Sequence, residues 1–142
     1  MKKKLMAMLS TFILVAVLVL PASASAAVYV PPFEPDSASN PHIFSAGDWS
    51  FPTLTPGDKD YFKFTNTFSY TRTYTLIVDS PDGFNYVPGS INATGVQLIN
   101  PVVQEFGYYR YDIVCNPGAV VNIEIGAQIS GYSPNTYFIV II

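Results

Sequence analysis

Apolar side chains recur at every second position through most of the chain, in short runs separated by Pro, Gly and Asp. A period of two puts alternate side chains on opposite faces, as half-buried antiparallel strands require. Over residues 119–129, Val121 and Ile123 share one face while Asn122 and Glu124 share the other. No run after residue 27 keeps a helical period of 3.6 over three turns, so the pattern predicts an all-β fold.

Turn-forming residues divide the alternating region into short segments of similar length. Strands at this spacing are typical of an antiparallel β-sandwich, and we expect about seven to nine of them. The expected strands are Ile43–Phe51, Asp60–Phe68, Thr71–Val78, Phe84–Ile91, Gly95–Ile99, Val102–Glu105, Gly107–Cys115, Ala119–Ile129 and Asn135–Ile142.

The stretch Thr73–Ile91 shows the alternation of strand and turn residues most clearly. Thr73–Val78 is rich in β-branched and aromatic residues, as strands are. Asp79–Gly83 follows with a proline that fixes its own φ and a glycine that accepts a positive φ, which together predict a tight turn. Phe84–Val87 then resumes the strand composition. We therefore expect a strand, a turn and a second strand here, with no catalytic role.

This stretch resembles the immunoglobulin-like repeat domains of bacterial cell-surface proteins. The resemblance extends back to Leu54–Asp58 and Phe64–Phe68 and forward to Asn116–Gly118, so it covers residues 54–131. It implies a single copy of an immunoglobulin-like or jelly-roll sandwich. Two short phrases, Leu54–Asp58 and Ile43–Asp48, also resemble biofilm-fibre proteins of the camelysin type, whose subunits pass an N-terminal strand to the next subunit. That second resemblance implies self-assembly.

The first 26 residues have the composition of a secretion signal. Lys2–Lys4 precede the apolar run Leu5–Leu20, and Ala24–Ala26 has the small-x-small pattern at which signal peptides are cleaved. The alternative, a retained membrane anchor, fits less well because the apolar run is short for a span of about 20 residues. We expect residues 1–26 to be a signal peptide, 27–42 an extended Pro-rich arm and 43–142 the sandwich domain.

Removal of the signal changes the charge of the chain. Four basic residues remain against ten acidic ones, a net charge of −6 for the 116 residues left. This charge argues against nucleic acid and anionic membrane surfaces as partners. The product is expected to be secreted and to remain extracellular or at the cell surface, with no stable membrane span after cleavage.

The arm Ala27–His42 carries four prolines and no sustained period. It is either a disordered spacer or, because Val28–Val30 and Phe33 are too apolar for a solvated linker, a segment that docks along an open sheet edge. That edge belongs either to its own molecule or to a neighbouring one.

No arrangement of residues in the sequence predicts catalysis, a cofactor or a metal. The single histidine, His42, lies in the arm, where a catalytic triad would need a loose segment. Cys115 lies on the apolar face of its strand and is expected to be a buried thiol. The alternative for an odd cysteine in a secreted protein is a disulfide between chains.

Two groups of residues have both a possible binding role and a structural one. Asp58 and Asp60, like Asp79 and Asp82, cluster at turns and offer oxygen ligands for Ca²⁺, but Asp is also a good turn former. Trp49 and the tyrosines could form a platform for sugar rings, or could simply fill the core. We expect turns and core packing respectively.

The final segment is apolar on both faces. Tyr137, Ile139 and Ile141 alternate with Phe138, Val140 and Ile142, so a strand with one wet face would expose large apolar side chains. Either loops cover the second face, or the arm or a neighbouring subunit does. The residues expected at a partner interface are Val28, Tyr29, Val30, Phe33, Phe138, Val140 and Ile142.

These features favour a non-catalytic structural protein of the cell surface or extracellular matrix. Its expected partner is itself, as a homo-oligomer or fibre formed through strand and arm contacts, or another cell-surface component. A monomeric secreted module that binds carbohydrate or protein is the alternative, since the sandwich fold hosts both kinds of function.

Overall fold

Seven strands form in the computed structural model of the chain, which describes residues 27–34, 36–128 and 131–142. The expected signal peptide lies outside the described residues. Within them there is no helix, and so none that could cross a membrane. The strands are β1 (His42–Phe44), β2 (Trp49–Ser50), β3 (Lys59–Thr65), β4 (Arg72–Asp79), β5 (Tyr86–Glu105), β6 (Tyr108–Ala127) and β7 (Phe138–Ile141).

The prediction of an all-β sandwich is confirmed. The hydrogen-bonded order is β1-β3-β6-β4-β7-β2, and β5 pairs with β6 alongside this path. Every pair of strands is antiparallel except β1 and β3, which are parallel, so the antiparallel expectation is wrong at this edge. Between β1 and β3 the chain passes through β2, which lies at the opposite end of the strand order. Strand β3 therefore runs in the same direction as β1.

Strand β6 belongs to two half-sheets. Residues 108–115 pair with β4, whereas residues 120–126 pair with β3. We call β1, β3 and the adjoining parts of β6 and β5 the first half-sheet, and β2, β7, β4 and the remaining parts of β6 and β5 the second. Between the two parts of β6, Gly118 has a φ of 72°, which a glycine accepts without strain.

The two half-sheets pack face to face around one apolar cluster. Phe64 of β3 meets Tyr74 of β4 with ring centroids 4.4 Å apart, and Tyr86 of β5 meets Tyr137 at 5.5 Å with perpendicular rings. Rings in these edge-on arrangements add to the free energy that burial supplies. The inner side chains are those expected from alternation, including Val121 in the second part of β6.

The segment Thr73–Ile91 forms two strands and a turn, but these strands are not neighbours. Strand β4 pairs with β6 and β7, and β5 pairs with β6 only, so β6 lies between them. The turn therefore connects strands that are not adjacent in the sheet. Gly83, at φ 80°, has the positive φ expected of it.

Four predicted strand divisions are wrong: three breaks are absent and one break was missed. Phe84–Ile91, Gly95–Ile99 and Val102–Glu105 are one strand, β5, because bulges absorb the irregular residues that suggested breaks. Likewise, Gly107–Cys115 and Ala119–Ile129 merge into β6 up to Ala127. Conversely, Ile43–Phe51 divides into β1 and β2. Gly47, with a φ of 92°, lies in the turn between these two strands.

A buried asparagine holds the bend of β6. The backbone N–H of Asn66 donates to the carbonyl of Ala119 (2.9 Å), and its carbonyl accepts from the N–H of Gly118 (2.9 Å). Its side chain makes five further hydrogen bonds of 2.7–3.1 Å. These involve the carbonyls of Tyr70, Cys115 and Asn116, the N–H of Phe68 and the hydroxyl of Tyr74.

We expect Asn66→Ala to lower the free energy of unfolding by about 3 kcal/mol, since it leaves several buried polar groups without a partner. Urea unfolding followed by Trp49 fluorescence measures the change. Asn100→Ala, at an exposed position of β5, is the matched control and should change stability by less than about 0.5 kcal/mol. Equal stability of the two variants would contradict this role for Asn66.

Candidate functional site

Four aromatic rings form a row of successive contacts on the outer side of the second half-sheet. The ring centroids of Tyr29 and Trp49 are 4.9 Å apart, those of Trp49 and Phe51 are 5.4 Å apart, and those of Phe51 and Phe138 are 5.3 Å apart. We call these four residues and Val140 the aromatic face. Tyr29 and Phe51 are 42% and 43% exposed, so the face is open to solvent.

The arm completes this face in its own molecule. Val28–Val30 runs along the free edge of β2: the N–H of Trp49 donates to the carbonyl of Val28 (3.1 Å), and the N–H of Val30 donates to the carbonyl of Trp49 (2.8 Å). The buried Asp48 fixes both sides of the junction, because its carboxylate accepts from the N–H of Val28 and from that of Ser45. The arm thus extends the second half-sheet by one parallel bridge between Tyr29 and Trp49.

The aromatic face also covers the final strand. Tyr137, Ile139 and Ile141 are buried on the inner side, as alternation predicts. On the outer side, Val140 lies opposite Trp49 in the β2–β7 pair and is only 7% exposed. The cover comes from β2 and from Tyr29 of the arm, within one chain.

The predicted interface residues divide into two groups. Tyr29, Phe138 and Val140 lie together in the aromatic face, with the exposed Val28 at its margin. Val30 is half-buried and packs against the core instead. Their role in partner binding stays a prediction.

Two other predicted interface residues lie elsewhere. Phe33 packs on the ring of His42, with centroids 4.1 Å apart, and Ile142 is exposed at the end of the chain beside Phe68 and Arg72. The prediction omitted Trp49 and Phe51 from the face. Their spacing of two, just before a proline, was the available signal that they share one side of a strand.

Three carboxylates meet where the arm crosses the loop before β3. Oxygens of Glu34, Asp36 and Asp58 lie within 4.8 Å of one another. Burial raises the pKa of Asp36 and of Glu34, and the charge of Asp58 adds to both shifts. Oxygen ligands at this spacing suit a hard cation such as Ca²⁺. Of the predicted acidic turn residues only Asp58 belongs to this group, because Asp60 points into the core.

Asp60 is fully buried and accepts a hydrogen bond of 2.5 Å from the hydroxyl of Tyr137. Its other oxygen has no partner among the described residues. Burial, which outweighs the bond from Tyr137, raises the pKa of Asp60 to about 7. The nearby carboxylates of Asp36 and Glu34 contribute to the same shift.

His42 has no nucleophile beside it. Its ring lies between those of Phe33 and Phe62, and neither nitrogen has a hydrogen-bond partner among the described residues. Burial lowers the pKa of His42, so the contact of 3.4 Å with Asp36 joins a neutral imidazole to a carboxyl group. The arm histidine is a packing residue.

Cys115 is fully buried in the core, and this prediction is confirmed. Burial raises the pKa of its thiol, which keeps the thiol protonated. A protonated, enclosed sulfur is a poor nucleophile and cannot reach a second chain.

We expect stability to fall as pH rises from about 4 to about 7. An unfolded Asp60 releases its proton near pH 3.8 and the folded one near pH 7, so the folded chain binds more protons between these values. Asp60→Asn removes this penalty and still accepts the bond from Tyr137. It should therefore be more stable than the wild type at pH 8 and indistinguishable from it near pH 4.

Thermal unfolding across this pH range measures the difference. Asp82→Asn, at an exposed turn position, is the matched control and should follow the wild type. The assignment is wrong if Asp60→Asn and Asp82→Asn show the same pH dependence.

Comparison with known proteins concerns the fold. No protein-family model matches the chain, and no curated protein matches its sequence. Among solved structures, the pre-peptidase C-terminal domain of collagenase from Bacillus anthracis is similar, with a TM-score of 0.53 and 13% sequence identity. The alignment covers 78% of this chain and 100% of that domain. At this identity the likeness shows a shared β-sandwich, and it does not single out the immunoglobulin-like repeat or the camelysin type.

Proposed function

We propose that the chain is a non-catalytic module of the bacterial cell exterior that binds a protein surface through its aromatic face. The signal-like N-terminus supports export, and the fold is similar to that of a domain of a bacterial collagenase. The single histidine, His42, is enclosed between two aromatic rings and the thiol of Cys115 is buried in the core, so a binding role fits better than catalysis by either side chain. The observation that carries the proposal is the set of four touching, partly exposed rings.

The tilt of the rings favours a protein over a polysaccharide. Neighbouring rings meet at 44°, 76° and 42°, so they form a ridged surface and not a flat one. Sugar rings stack best on flat aromatic platforms, whereas the side chains of a protein fit between ridges. Exposed apolar surface of this kind is typical of protein interaction sites.

The surroundings of the face have the composition of a protein interface. Ile77 of β4 lies opposite Val140 on one side and Arg110 of β6 on the other, so an apolar row ends in a guanidinium group. Asp79 lies opposite Phe138 and supplies a negative charge at the rim. Aromatic and Arg side chains in a central patch with a charged rim are the usual carriers of binding free energy.

Self-association is the second candidate function. The main-chain bonds that join Val28–Val30 to β2 could equally form with the β2 of a neighbouring chain, which would link copies by exchange of the arm. Protection of the other edges counts against sheet-to-sheet stacking. The long edge strand β5 contains Pro88, Pro101 and four irregularities in its register, and Pro31–Pro32 follows the paired part of the arm.

We expect the double variant Tyr29→Ser/Phe51→Ser to lose binding by about tenfold or more, because it removes the two rings of the face whose exposure leaves them open to a partner. The measurement is co-sedimentation of the purified chain with walls of the bacterium that secretes it and, separately, with insoluble collagen. Tyr70→Ser/Phe106→Ser is the matched control: it removes one Tyr and one Phe that are at least as exposed and lie outside the face.

The outcomes separate the candidates. Binding that disappears when the walls are first treated with protease supports a protein partner, while binding that survives this treatment contradicts it. Light scattering of the same samples tests self-association, which requires a mass that grows with concentration and falls in the face variant. If neither wall nor collagen retains the wild type, or if both double variants bind equally, the proposed function is wrong.

A further inference from the structure

A groove of about 270 Å³ lies on the outer side of the first half-sheet, away from the aromatic face. Its floor consists of side chains from β3, β6 and β5, and the turn that precedes β1 forms one wall. The polar side chains that line it are those of Tyr61, Ser90, Asn92, Asn122 and Glu124.

The strand register brings these side chains together. Glu124 of β6 lies opposite Tyr61 of β3 and Ser90 of β5, and Asn122 lies opposite Asn92 in the next outward-facing row. Their neighbours along β3 and β6 point into the core, so the five side chains share the outer face. Residues far apart in sequence thus form a continuous polar surface across three strands.

The wall of the groove is held in place by the fold. Ser37 and Asn40 exchange two backbone hydrogen bonds, of 3.2 and 2.9 Å, which close the turn that presents Ala38. The carboxylate of Asp36 accepts a bond of 2.6 Å from the N–H of Tyr61 and so ties this turn to the floor. A groove with a fixed wall exists before a ligand arrives, which reduces the entropy lost on binding.

The hydrogen-bonding groups of the groove are suited to hydroxyls. The Tyr61 hydroxyl and the Asn122 carboxamide have no hydrogen-bond partner in the described part of the chain, and Asn92 has only a long contact of 3.4 Å with Ser90. Carboxamides and hydroxyls both donate and accept, as sugar hydroxyls do. The half-buried ring of Tyr61 adds an apolar surface for the C–H groups of a sugar.

We propose that this groove binds a neutral glycan, with one pyranose ring seated on Tyr61 and neighbouring hydroxyls of the glycan bound by the two asparagines on β6 and β5. The volume of about 270 Å³ lies just below the roughly 300–1,000 Å³ range of small-molecule sites, which suits a single ring of a longer chain. The Nζ of Lys59 lies 2.6 Å from the Glu124 carboxylate and offsets its charge, which favours an uncharged ligand over a phosphate or an acidic sugar. The site is independent of the aromatic face and of the function proposed for it.

A titration followed by the ¹H–¹⁵N chemical shifts of the asparagine side-chain amides tests the proposal directly. The purified chain is titrated with three soluble probes: pentasaccharides of β-1,4-glucose, of β-1,4-N-acetylglucosamine and of α-1,4-glucose. At least one should cause saturable shifts at Asn92 and Asn122 below about 10 mM. Asn122→Ala should weaken that binding about tenfold, because it removes hydrogen bonds to the ligand.

Two controls make the result decisive. Asn100→Ala, exposed on the second half-sheet, and the Tyr29→Ser/Phe51→Ser variant should both bind as the wild type does. Asn92→Ala removes the second carboxamide, on a different strand, and should also weaken binding, which guards against a folding defect peculiar to Asn122→Ala. The proposal is overturned if no probe causes saturable shifts, if the shifts fall outside the groove, or if Asn122→Ala and Asn92→Ala bind as tightly as Asn100→Ala.

Discussion

The hydrogen bonds of Asn66 are the constraint on which the rest of the structure depends. One strand, β6, serves both half-sheets, and where it bends its carbonyls lose their ladder partners. A buried carbonyl without a partner costs about 1–3 kcal/mol, so such a bend needs a donor from elsewhere. The carboxamide of Asn66 supplies that donor, and its oxygen accepts from Tyr74 at the start of the opposite half-sheet. The hydrogen bonds of Asn66 therefore fix both the bend of β6 and the packing of the two half-sheets against each other.

This arrangement gives the molecule two outer faces of different chemistry. The second half-sheet ends in the arm, β2 and β7, whose outward residues are largely aromatic or aliphatic. The first half-sheet presents amides, a carboxylate, two lysines and one tyrosine along its three longest strands. Since the inner sides share one apolar cluster, the outer sides are free to differ. The proposed protein partner and the proposed glycan would therefore bind to different sides of the module.

Alternation predicted the local structure well, and contacts between distant residues poorly. The inner faces of β6 follow directly from residues such as Val121 and Ile113, because a period of two reports burial on one side. The same pattern does not report which strands pair with one another. The position of β6 between β4 and β5 could therefore not be predicted from it. The sequence around Asn116–Gly118 suggested a break, whereas the bend is bridged by Asn66, fifty residues earlier.

The candidate sites, too, depend on contacts between distant residues that the sequence pattern does not report. Apolar residues in the arm and the last strand indicated a surface, and several of them meet there, but only the intervening Trp49 and Phe51 make that surface continuous. Asp58 and Asp60 look equivalent in sequence, yet one lies with the carboxylates of the arm and the other is buried against Tyr137. Alternation places Asp60 on the same side of β3 as Phe62 and Phe64, a signal in the sequence that the interpretation of Asp60 as a turn residue missed.

The central claim is that the arm completes the aromatic face within a single chain and leaves that face open for a partner. An isotope-filtered NOE experiment on an equal mixture of labelled and unlabelled chains tests this most directly. We predict strong contacts between the rings of Tyr29 and Trp49 within labelled chains and none between labelled and unlabelled chains. A contact between Tyr29 of one chain and Trp49 of another would show that the arm belongs to a neighbour, and would contradict the account.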